Sequence, residues 1–158
     1  MQYINVGPSD EMIPFPIALV VSRFNHDITC ELEKGALQRL TALGFTAEDI
    51  TVVEVPGAGE IPLIAQCLAK KKKYSAIIAL GAVVRGETTH YESVCQRVTE
   101  GCLKVSLDFE IPVILNVLTT ENEAQAWDRL GGEHGHKGAD SANCAVAMVS
   151  ILQQLEKE

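Results

Sequence analysis

Basic residues are scarce in this chain, 13 lysines and arginines against 21 aspartates and glutamates, for a formal net charge of -8. A surface of that sign repels phosphate backbones, so nucleic-acid binding is not expected. The one cationic run, Lys70 to Lys73, precedes Tyr74 at the expected end of a helix, where it complements the helix dipole and solvates the surface. The five cysteines are odd in number. Cys30, Cys67, Cys95, Cys102 and Cys144 include no Cys-x-x-Cys pair, so neither a zinc site nor a disulfide framework is indicated. Most fall at apolar helical positions and are expected as small core residues. No run approaches the roughly 18–20 apolar residues of a membrane span, and no secretory-leader pattern is present, so the expected location is a reducing cytoplasm without membrane contact. Repeats, linkers and low-complexity tracts are also missing.

What is present is a 47% hydrophobic chain of 158 residues, enough for one domain with a sizeable core. Four apolar runs read as strands: 15–22, 50–55, 76–84 and 112–118. They are continuous instead of alternating, which predicts a sheet covered on both faces. Helical patterns lie between them. Leu32, Ala36, Leu37, Leu40 and Leu43 share one face ahead of Gly44, and Pro62 suits the first turn of the next helix. A third carries Val94, Val98, Cys102 and Val105; a short fourth spans about 121–130 with Thr120 as its cap; a fifth runs from about Asp140 to Leu155. Alternating strands and helices predict a parallel four-stranded sheet with right-handed crossovers, hence a three-layer α/β sandwich.

In such sheets ligands bind beyond the carboxyl ends of the strands. That rim should collect Arg23-Phe24-Asn25, Pro56 to Glu60, Arg85 to His90, and Thr119 to Asn122. Residues 79–91 are the richest segment. An apolar run stops at Arg85-Gly86, and Thr88, Thr89 and His90 follow where a helix should begin. The first N–H groups of a helix lack intrahelical partners and form an anion seat, beside which a histidine can move protons near neutral pH. Phe24 suits either a core plug or a stacking platform. Glu60 fits either a helix cap or an acceptor for sugar hydroxyls. Arg129 and Lys137 bracket a glycine-rich segment and can hold a phosphate. That segment includes Glu133, His134 and His136, whose spacing matches no helix-borne zinc pattern.

Several ordered motifs resemble those of the lumazine synthases: Arg-Phe-Asn at 23–25, Val-Pro-Gly-Ala-x-Glu-Ile-Pro at 55–62, Gly-x-Val-x-Arg-Gly-x-Thr-Thr-His-Tyr at 81–91, Leu-Thr-Thr-Glu-Asn at 118–122 and Lys-Gly at 137–138. The likeness runs from Ala18 to the C-terminus. It implies a flavodoxin-like fold in one lumazine-synthase-like domain, 1–158, with residues 1–14 as an N-terminal extension. The implied reaction is the condensation of 5-amino-6-(D-ribitylamino)uracil with 3,4-dihydroxy-2-butanone 4-phosphate, releasing phosphate and water without metal or redox cofactor. Phe24 would then stack on the pyrimidine, whose edge meets backbone groups of Ala82, Val83 and Val84. Glu60, with the amides of Ala58 and Gly59, would hold the ribityl chain. Main-chain groups of Glu87 and Thr88 would seat the phosphate, and His90 would shuttle protons.

The family implies further a homo-oligomer: a pentamer with sites between subunits, in some members sixty subunits in an icosahedral shell, with riboflavin synthase as a further partner. Leu115, Arg129 and Lys137 would reach each site from the neighbouring chain. Five positions depart from the family pattern. Gly59 replaces an aromatic, Leu115 a frequent phenylalanine, Glu133 and His136 alter a loop, and Glu87 sets a carboxylate beside the phosphate seat, its side chain expected toward solvent. Rival readings are a non-catalytic flavin- or lumazine-binding scaffold, a sugar-phosphate isomerase of the same architecture and a purely structural shell protein.

Overall fold

The computed structural model describes residues 1–5 and 12–158; part of the expected N-terminal extension, including Pro8, lies outside them. Four strands, β1 (Ile17–Ser22), β2 (Ile50–Val55), β3 (Ala76–Val84) and β4 (Val113–Thr120), form an all-parallel sheet in the order β2-β1-β3-β4. Helices α1 (His26–Ala42) and α5 (Lys137–Glu156) cover one face, and α2 (Ile61–Lys70) and α3 (His90–Phe109) cover the other. The short α4 (Glu123–Asp128) follows β4. This is the expected three-layer sandwich.

Side-chain alternation along the central strands feeds two cores. Ile17, Leu19, Ile78 and Leu80 pack toward α1 and α5, whereas Ala18, Val20, Ile77 and Ala79 pack toward α2 and α3. Both faces are covered only in the middle of the sheet. Along β2 and β4 burial is partial, and Leu115 on β4 is 41% exposed, so the expectation of full cover fails at these outer strands, where the helical layers end.

The structure corrects four local expectations. The cap of α4 is Asn122, whose side chain accepts from the Gln125 amide, while Thr120 is buried and its hydroxyl donates to the Asn122 carbonyl. The glycine-rich segment after α4 is a hairpin of β5 (Leu130–Gly132) and β6 (Gly135–His136). The last helix starts at Lys137, three residues ahead of expectation, because the His136 imidazole accepts from the Gly138 and Ala139 amides and caps it. Of the five cysteines only Cys102 is buried; Cys67 and Cys144 are exposed, and Cys30 and Cys95 are half-buried, because cysteines at apolar-patterned positions also fall on the outer sides of the helices.

Burial pushes the Cys102 thiol up to about 11 from its ordinary 9.0. The folded chain therefore keeps a proton that the unfolded chain releases between those values, and stability falls with rising pH across that window. Below it the contribution is constant. A loss of about 2 kcal/mol in urea unfolding between about pH 8 and pH 11, missing in Cys102→Ala, is the expected result; equal alkaline losses in both proteins would refute it.

Candidate active site

The carboxyl ends of β1, β2 and β3 open on a cleft of about 690 Å³. At the end of β1 the chain makes its turn through Asn25, which adopts the left-handed conformation (φ 59°, ψ 48°) tolerated by asparagine. Its side-chain amide donates to the Ala82 carbonyl at 2.9 Å, tying the turn to β3. The backbone of Phe24 is held from the other side, its N–H donating to the Pro56 carbonyl at 3.0 Å. With its backbone pinned on both sides, Phe24 projects its ring outward, 71% exposed at the cleft wall. A core plug would be buried; this ring is available for stacking.

Strand β3 outruns β1. Pairing with β1 ends at Leu80, whereas pairing with β4 continues to Val84. The backbone edge of residues 82–84 that would have met β1 borders the cleft instead, with the Ala82 carbonyl taken by Asn25. An unpaired strand edge offers fixed donors and acceptors to the rim of a planar ligand.

Opposite lies a single 3-10 turn, Ala58–Glu60, that leads into α2 with Pro62 in its first turn. Gly57, Ala58, Gly59 and Glu60 all line the cleft. Helix α3 packs close to α2 because Gly101 lies against Pro62, where an added Cβ would come within 2.6 Å of the proline ring. That approach places His90, Val94 and Arg97, on successive turns of α3, along the same cleft.

His90 is the first residue of α3, and its N–H donates to the Thr88 hydroxyl at 3.3 Å. Thr89 stands at the cap position without a side-chain hydrogen bond, so later first-turn amides keep open donors. Gly86 and Thr88 line the cleft; Glu87 is exposed and outside its lining. Arg85 is turned away from the seat. It pairs with Glu92, donates to Glu121 at 2.6 Å and lies 4.2 Å over the Tyr91 ring, bracing the ends of β3 and β4 against the start of α3. These pairs hold the guanidinium pKa above its usual range and the Glu92 carboxyl below its own.

Nine of the thirteen expected site residues thus meet in one cleft: Phe24, Ala58, Gly59, Glu60, Ala82, Val83, Val84, Thr88 and His90. Leu115, Arg129 and Lys137 are not among its lining residues. Arg129 and Lys137 form a unit of their own, since the Lys137 N–H donates to the Arg129 carbonyl at 2.9 Å across the ends of the β5–β6 hairpin. The Arg129 guanidinium donates to the Gln125 carbonyl at 2.7 Å, and the Lys137 ammonium lies 3.6 Å from Asp140. Asp128 organises this hairpin by accepting from the Glu133 amide at 3.0 Å and pairing with His134, and the His134 contact is the main reason its carboxyl sits below the usual range. Asn25, Arg97 and Asp128 make contacts in or beside the site that were not expected from sequence. An asparagine right after a strand end was the available signal for the first; the other two are visible only in three dimensions.

Fold and cleft together define an α/β protein of flavodoxin-like architecture whose ligand cleft combines a stacking ring, an unpaired strand edge and a histidine at a helix start. Residues 14–153 match the sequence model of the 6,7-dimethyl-8-ribityllumazine synthases. Among curated relatives, 6,7-dimethyl-8-ribityllumazine synthases from Coxiella burnetii strains CbuG_Q212 and RSA 493 / Nine Mile phase I are each 54% identical over 142 residues, covering 90% of this chain and 94% of theirs. The chain belongs to the 6,7-dimethyl-8-ribityllumazine synthase family. No helix among the described residues is long and apolar enough to cross a membrane.

Proposed function

We propose how this cleft performs the family's reaction, in which 5-amino-6-(D-ribitylamino)uracil and 3,4-dihydroxy-2-butanone 4-phosphate condense to 6,7-dimethyl-8-ribityllumazine in riboflavin biosynthesis. The pyrimidine stacks on Phe24, with its edge on the backbone of Ala82, Val83 and Val84. Glu60 and the amides of Ala58 and Gly59 hold the ribityl chain. The phosphate rests on main-chain groups of Glu87 and Thr88, with the Glu87 carboxylate toward solvent. Arg129 and Lys137 of a neighbouring subunit supply the countercharge, and its Leu115 closes over the ring. His90 moves protons as the imine forms, phosphate leaves and the ring closes.

A positioned proton shuttle contributes about 10²–10⁴-fold. Holding two reactants in register can supply roughly 7–11 kcal/mol more, and that share belongs to the whole cleft. The observation that carries the reading is the division of groups: an exposed ring, a free strand edge and His90 share one cleft, while Arg129 and Lys137, joined through their backbones, lie outside it. A homo-oligomer joins the halves. The pentamer of the family does so with every site equivalent, and closure of pentamers into a sixty-subunit shell, association with riboflavin synthase and a cytoplasmic location complete the proposal. The chain acts in it as a single domain, 1–158, with residues 1–14 as an extension.

Mixing the two substrates with purified protein and following lumazine fluorescence tests the reading. Phe24→Ala is expected to raise KM for the pyrimidine substrate about 10-fold, with little change for the phosphate substrate, since stacking is worth about 1 kcal/mol or more. An unchanged pyrimidine KM would remove Phe24 from the site.

A further inference from the structure

Arg97 lies in the cleft beside the expected ribityl position. Its Nε–H donates to the Gly59 carbonyl at 3.0 Å. Its Cδ and Nε lie 3.6 and 3.7 Å from where a Gly59 side chain would begin. The arginine stem therefore covers the wall that glycine leaves bare. A guanidinium presents five N–H donors in a fixed planar fork. Among the described residues only the Nε–H has a partner, and no carboxylate pairs with the head group. Glu60 lines the same side of the cleft, with a carboxylate oxygen 3.0 Å from where a Gly57 side chain would start.

We infer that Arg97 is a specificity residue for the polyhydroxylated chain of the pyrimidine substrate, donating from its terminal nitrogens to chain hydroxyls that Glu60 accepts from. The inference rests on the placement of the ribityl chain proposed above. A hydroxyl both donates and accepts, so an arginine and a carboxylate on one wall satisfy it in both senses. Either group alone leaves half of that capacity to water. A plain alkyl chain offers no partner to either group, so it gains nothing from the arginine.

The test compares 5-amino-6-(D-ribitylamino)uracil with 5-amino-6-(pentylamino)uracil, which lacks the hydroxyls, on assembled wild type, Arg97→Ala and Arg97→Lys, varying each substrate with the other saturating. Arg97→Ala is expected to raise KM for the ribityl substrate about 10-fold, the value of a hydrogen bond to a charged group. Its kcat, its KM for butanone phosphate and its KM for the pentyl compound are expected to stay within about twofold, the pattern of lost uniform binding. Arg97→Lys, a point charge without the fork, is expected to recover only part of the discrimination. An equal rise for both pyrimidines would reduce Arg97 to a brace for the Gly59 turn and overturn the inference, as would a rise confined to butanone phosphate. Failure of wild type to prefer the ribityl over the pentyl chain would instead overturn the ribityl placement itself.

Discussion

Co-assembly of His90→Ala and Arg129→Ala subunits is expected to give more activity than either variant shows alone. His90→Ala should slow turnover by about 10²–10⁴-fold without abolishing it, since orientation still acts. Arg129→Ala should act mainly on the phosphate substrate, raising its KM about 10²-fold by removing a charge-assisted contact. With sites shared between neighbours, an equal random mixture gives about one quarter of interfaces an intact His90 on one side and an intact Arg129 on the other. Those sites should turn over at wild-type KM. Dissociating and reassembling the two variants together, then measuring lumazine formation, makes the check. A mixture no more active than its parts would place the whole site within one chain. Complete inactivity of correctly assembled His90→Ala would contradict the division between proton transfer and orientation, and an unchanged KM for butanone phosphate would sink the assignment of Arg129.

Gly138→Ala is expected to destabilise the fold strongly. A Cβ at Gly138 would sit 2.1 Å from the Leu32 carbonyl oxygen and 3.0 Å from the His136 ring. The oxygen belongs to the backbone of α1, so no rotamer change relieves the clash. Helix α5 must move away from α1 at its first turn, opening the packing of Leu32 and Ala36 against Ala142 and Ala145. Overpacking of this kind costs about 3 kcal/mol. The same shift moves Lys137, whose carbonyl accepts from Asn116 at 2.6 Å and Ser141 at 2.8 Å. Urea midpoints and the KM for butanone phosphate should therefore worsen together. A stable Gly138→Ala protein with native kinetics would show that α5 is not set by this contact.

Much of this was legible in the residues. β1 and β3 are buried on both faces, so their sequences are continuous apolar runs, and their ends could be placed within two residues. Phe24, Glu60, Thr88 and His90 could be assigned to one rim because parallel strands bring all carboxyl ends together. The hairpin at 130–136 was not legible, since strands of three and two residues built on glycines carry no period-two signal. Nor was the choice of Asn122 over Thr120 as a cap, because either residue type suits that role and only the burial of Thr120 decides it. Arg97 reads as one polar position on an amphipathic helix. Its place over Gly59 exists only because Gly101 lets α3 lie against Pro62.

Sequence by itself determined the four strands, the parallel sheet they imply, the rim where the ligand must bind and the family, because local periodicity and motif spacing depend on neighbours along the chain. Tertiary structure alone decided which groups share the cleft. It left the backbone of residues 82–84 without a β1 partner, turned Arg85 toward Glu92 and Glu121, brought Arg97 over Gly59, and set Arg129 and Lys137 outside the cleft. The physical reason is that side-chain direction follows from helix packing and strand length, which residues far apart in sequence set together.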